Sequence, residues 1–111
     1  MEGEVLKVGQ EIKMTKDFTL VSCLGTKVLE VKKGDKAYID GSGFAHYTTG
    51  KARGSIQKTN AEIKGFDYEN ISKIIFKRLD NSYNLDEYLD DYDIDKDELI
   101  EEIESALVEI L

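Results

Sequence analysis

Val28-Leu29-Glu30-Val31-Lys32-Lys33-Gly34-Asp35-Lys36-Ala37-Tyr38-Ile39 reads as strand, turn, strand. Val28 to Val31 mixes apolar and polar side chains at the short period of a half-buried strand. Lys33-Gly34-Asp35-Lys36 is the turn, because Gly34 takes positive φ without a Cβ penalty. The expectation is a hairpin that joins residues 28–31 to residues 37–39.

Working outward, the same pattern recurs through the first sixty residues. Candidate strands are residues 5–8, 12–15, 18–24, 27–31, 37–39, 44–49 and 55–59. They are rich in β-branched and aromatic residues and are broken by Gly9, Gly25, Gly34, Gly41, Gly43, Gly50 and Gly54. Strands this short and this often interrupted suit a small antiparallel barrel or a strongly bent sheet. Lys32-Lys33-Gly34-Asp35 followed by a strand resembles turns of SH3-like barrels and related small β-modules. The resemblance implies a barrel rather than an open sheet.

The period changes after residue 66. Asp67 is a capping residue and Glu69 an acidic first turn. Ile71, Ile74, Ile75 and Leu79 then follow at helical spacing, with Lys73, Lys77 and Arg78 toward the end. This predicts a helix over residues 68–79, stopped by Asp80-Asn81-Ser82. A short helical turn surrounds Leu85, Tyr88 and Leu89. Asp95 caps a last helix, with Glu98 at capping-box spacing. Leu99, Ile100, Ile103, Ala106, Leu107 and Ile110 make its apolar stripe. That helix ends in Val108, Ile110 and Leu111, which are expected to dock on the fold or in a dimer. The fold class is α+β: a barrel or bent sheet over residues 3–62, and two or three helices over residues 67–111 packed on it, in a single domain spanning 1–111.

Charge divides the chain in the same place. Residues 1–79 carry 14 Lys/Arg against 10 Asp/Glu, and residues 80–111 carry 13 Asp/Glu against Lys96, which together give the net −8. No apolar run approaches the length of a membrane helix. Met1-Glu2-Gly3-Glu4 does not read as a secretory signal, and the single cysteine, Cys23, has no partner for a disulfide. A cytoplasmic location is the expectation.

Gly41 to Gly54 invites a phosphate-loop reading and fails it. A Walker A loop needs glycine where Ala45 stands and Ser or Thr where Ala52 stands; a dinucleotide fingerprint needs glycine at His46. What is left is a loop with Lys51 and Arg53 between glycines, beside Phe44, His46 and Tyr47. Cations next to aromatics suit single-stranded nucleic acid. The plainer reading is a solvated hairpin tip, since two charges are few beside the several phosphate contacts of nucleic-acid binders.

Asp91, Asp93, Asp95 and Glu102 occupy positions 1, 3, 5 and 12 of a calcium loop, but its glycine position holds Lys96. A frame from Asp93 puts Glu98 there instead. The plainer reading is a well-capped helix start. Cys23 lies in the apolar run Leu20 to Leu24, and a Cys23–His46 pair lacks an orienting group. One cysteine and one histidine make no zinc site. No catalytic residues, metal or cofactor are assigned.

Residues 86–104 hold eleven carboxylates against Lys96. Asp90, Asp91, Asp93, Asp97, Glu101 and Glu104 are the candidate partner-binding face. Such a face is either solvated or a mimic of nucleic-acid charge aimed at a basic partner. In size and composition the chain resembles small accessory proteins encoded by bacterial mobile elements and phages. The expectation is a non-enzymatic binding or regulatory module whose partner is another protein. Nucleic-acid binding through residues 50–54 and acidic mimicry are the alternatives, and no membrane partner is expected.

Overall fold

Short alternating segments and frequent glycines produce eight strands among the residues described, 4–21 and 28–111, in a computed structural model of the chain. They are β1 (Val5–Val8), β2 (Glu11–Lys13), β3 (Phe18–Val21), β4 (Val28–Val31), β5 (Lys36–Ile39), β6 (Phe44–Tyr47), β7 (Ile56–Lys58) and β8 (Glu62–Phe66). Helices α1 (Tyr68–Tyr83), α2 (Leu85–Asp91) and α3 (Lys96–Ile110) follow. The fold is α+β, sheets first and helices after. The chain divides into two compact units, residues 1–65 and 66–111. That division falls between the two parts read from the sequence.

The strands form one four-stranded sheet, β2-β5-β6-β7, and two pairs, β1-β8 and β3-β4. They do not close into one barrel; the strands are shared among three sheets rather than one. The expected hairpin between β4 and β5 is not formed. The turn itself is as read: Gly34 has φ +94° and the Asp35 amide donates to the Lys32 carbonyl. Beyond it the strands part company. β4 pairs antiparallel with β3, Val31 opposite Phe18, whereas β5 pairs with β2 and β6. The cause is the segment before the turn. Met14 donates to the Asp35 carbonyl and accepts from Gly34, while Asp17 Oδ1 accepts from the Lys33 amide. Those bonds deliver β5 to β2. The strand β8 was not expected; only Ile63 carries its apolar alternation, and Gly65 at φ +83° interrupts it.

Alternation sets the core. Ala37, Ile39, Ala45 and Tyr47 point inward from β5 and β6 and join Leu6, Met14, Val31 and Ala52 in one buried cluster. Ile39 and Val31 are the largest hydrophobic side chains fully enclosed. Each such side chain contributes about 1.5–3 kcal/mol on burial. Tyr47 is satisfied there, because its hydroxyl donates to Gln57 Oε1 at 2.6 Å.

In the second unit, Asp67 caps α1 by accepting from the Asn70 amide at 3.0 Å. Asp80-Asn81-Ser82 does not stop this helix. It runs on to Tyr83, and Asn84 ends it in the left-handed conformation at φ 53°. Lys73, Lys77 and Arg78 therefore lie within the helix rather than in its last turn, where no basic residue stands. Asp80 takes a different part: its Oδ1 accepts from the Asp86 amide at the start of α2. Asp95 caps α3, with the bond coming from Asp97. Lys96 sits 5.3 Å from the ring centre of buried Phe76, which ties α3 to α1.

Candidate functional site

The side chains that face away from the core of the four-stranded sheet follow from parity and register. Residues two apart on a strand share a face. Lys36 and Tyr38 on β5, and Phe44 and His46 on β6, are half-buried and point outward. Register then lays them in rows. Glu11, Tyr38, His46 and Ile56 run across all four strands. Lys13 stands beside Lys36 on one side of that row, and Phe44 beside Lys58 on the other.

Tyr38 and His46 are stacked, with centroids 4.7 Å apart and planes 7° from parallel. Asp40 fixes the histidine: Nε2 donates to Oδ2 at 2.7 Å. The other oxygen of Asp40 accepts from the Ser42 and Phe44 amides at 2.9 and 3.0 Å. Partial burial pushes the Asp40 carboxyl up, but the His46 bond and the two amides outweigh it, and its pKa falls below the ordinary aspartate value. His46 is thus held against Tyr38 by a carboxylate that also accepts from two backbone amides.

Of the residues singled out in the basic loop, the fold brings Phe44 and His46 to one face and sends Tyr47 to the other. Tyr47 is 2% exposed. Burial and the nearby Asp35 charge push its phenol above the ordinary tyrosine value. Lys51 and Arg53 occupy the β6–β7 turn, flanked by Gly50 at φ 74° and Gly54 at φ 86°. Both are exposed, and Ala52 between them is buried. Lys51 Nζ lies 3.0 Å from Glu30 Oε2. That hydrogen bond, with the Lys32 charge, lowers the Glu30 pKa. Tyr38 and Lys36 were missed by sequence reasoning. Parity alone separates Tyr47 from His46, but only the register brings Tyr38 to His46.

The carboxylates singled out lie in the second unit. Asp90 and Asp91 end α2, Asp93 sits in the following turn at φ 61°, and Asp97, Glu101 and Glu104 share one face of α3 by their spacing. All are exposed except half-buried Glu104. Among the described residues, no three His, Cys, Asp or Glu side chains converge as metal ligands. Of the calcium-loop candidates, Asp95 serves as the α3 cap. The Cys23 half of the Cys23–His46 pair lies outside the described residues.

α3 has a second property. None of its residues is buried. Leu99, Ile100, Ile103 and Leu107 of the stripe are half-buried, and Val108 (55%), Ile110 (78%) and Leu111 (53%) are exposed rather than docked. Tyr83, Tyr88 and Tyr92 of the same unit are exposed too, the last two in ring contact at 4.7 Å. In the first unit, Leu6, Ile12, Met14 and Phe18 line a cleft of about 500 Å³ rimmed by Glu11 and Lys16. No described helix is long and apolar enough to cross a membrane. Compared with protein-family models, curated proteins and solved structures, the chain matches none of them.

Proposed function

We propose that the chain is a non-enzymatic protein-binding module, and that its helical unit docks a partner surface with an apolar centre and a basic rim. One observation carries the reading: α3 is a fifteen-residue amphipathic helix with no buried residue. An apolar stripe left this open on a small fold is the usual mark of an interaction surface. Exposed Tyr83, Tyr88 and Tyr92 add the residue type most enriched at protein interfaces. The carboxylates of residues 86–104 supply the charge that selects the partner. They repel a second copy of the same unit and steer toward a basic surface. Nucleic-acid mimicry is the special case in which that basic surface is itself a DNA or RNA site.

The test is affinity capture from the organism that encodes the chain, with the intact protein as bait. A partner of basic surface is expected, released by salt and lost from a Val108→Ser, Ile110→Ser bait that remains folded by circular dichroism. Equal capture by both baits contradicts the reading.

A further inference from the structure

The outer face of the four-stranded sheet combines aromatics and cations in a way the helical unit does not. Tyr38, Phe44 and His46 are all half-exposed there, and the first and last already form a parallel stack. Lys13 and Lys36 lie one row to one side of the stack, and Lys58 one row to the other. At about 3.3 Å of rise per residue, each row is about 6–7 Å from the stacked pair. Two carboxylates share the face. Asp40 is occupied by two backbone amides and His46. Glu11 stands at the edge strand β2, beyond Tyr38.

We propose that this face is a single-stranded nucleic-acid site, in which bases pack against Tyr38, Phe44 and His46 and phosphates are held by Lys13, Lys36 and Lys58. Three relationships support it. Planar bases extend a stack that the Tyr38–His46 pair has begun, and this needs no particular sequence. Cations flank the stack on both sides, so a strand laid across it meets positive charge on either side of its bases. The face belongs to a four-stranded sheet, broader than the helix or two-stranded ribbon that a duplex major groove admits. Arg53 stands at the β6–β7 turn, past the end of the sheet, whereas neighbouring Lys51 is paired with Glu30. The centre of the site is thus the strand face rather than the loop of residues 50–54.

The experiment is fluorescence anisotropy of the intact chain with labelled oligo(dT), oligo(U) and a duplex of equal length, over a salt series. The single strands are expected to bind with a log–log salt slope of about −2, from three phosphate contacts at about −0.7 each. Phe44→Ala and Tyr38→Ala are each expected to weaken binding about 5- to 150-fold. Lys36→Ala with Lys58→Ala is expected to flatten the slope by about 1.4. Lys7→Ala with Lys64→Ala removes equal charge from β1 and β8, off this face, and is expected to leave the affinity unchanged. Phe44→Leu keeps apolar bulk without a π face, so its loss of binding separates stacking from folding. No binding at low salt overturns the proposal. So does equal weakening by the off-face lysines, or duplex binding as tight as single-strand binding. If face variants instead lose the captured protein partner, the face is a protein site and the proposal fails.

Discussion

Tyr38 and His46 stand opposite each other on β5 and β6, and Asp40 Oδ2, 2.7 Å from His46 Nε2, holds the pair in its stack. A local turn and a cross-strand register meet at one histidine. The outward face of the sheet is therefore a fixed arrangement rather than a scatter of surface side chains.

The stack is expected to be measurable by itself. A double-mutant cycle of Tyr38→Ala and His46→Ala, followed by urea unfolding, should give a coupling of about 0.5–1.5 kcal/mol. Strict additivity would mean that the two rings are neighbours without interaction.

Asp40 makes a pH prediction. Its folded pKa lies below the ordinary 3.8, so it adds stability above that pH and loses it as pH falls through the lower folded value. Asp40→Asn keeps an oxygen for the Ser42 and Phe44 amides but does not titrate. Its stability should decline less steeply than the wild type below about pH 4. Identical acid limbs in thermal melts would contradict the assignment.

Tyr47 predicts the opposite limb. Its phenol is raised above the ordinary 10.0, first by burial and then by Asp35. The neutral form is thus favoured in the fold, and the stability it adds is lost as pH rises from about 10 through the folded value. Tyr47→Phe should remove that alkaline loss and cost about 1 kcal/mol at neutral pH for the Gln57 hydrogen bond. Ultraviolet titration of the phenol provides the direct check.

Gly50 and Gly34 both have positive φ but differ in surroundings. A Cβ at Gly34 meets nothing within 4 Å, whereas one at Gly50 lies 2.5 Å from Asp35 Oδ2. Gly34→Ala should cost about 1–2 kcal/mol from backbone conformation alone. Gly50→Ala should cost clearly more, because Asp35 also accepts from the Lys32 amide and is not free to swing away. Equal costs in denaturant unfolding would show that the Asp35 carboxylate yields.

Much of this fold is legible in local signals. Glycine spacing and alternation locate most strands within a residue or two, and the Asp67 and Asp95 caps locate two helix starts. Pairing is not local. The turn at Gly34 looks like a hairpin in sequence, yet Met14 and Asp17, outside residues 28–39, decide that β5 joins β2. Asp80-Asn81-Ser82 looks like a stop because each residue is a poor helix former, but such propensities are weak beside the pull of a helix face already packed through Ser72 and Phe76. The site divides in the same way. Parity puts Phe44 with His46 and apart from Tyr47, whereas Tyr38, Lys36 and Lys58 reach the face through register, which no single stretch encodes.

The proposed docking role of the helical unit is open to a direct test. A photo-crosslinking amino acid placed at Ile110, at Tyr88 and at Val21 tests it most directly, since all three are exposed and Val21 lies in the other unit. Positions 110 and 88 should crosslink to the same basic protein in cells, less so as salt is raised in lysate, while position 21 does not. Crosslinks of equal yield from all three positions, or to that protein from position 21 alone, would contradict the account.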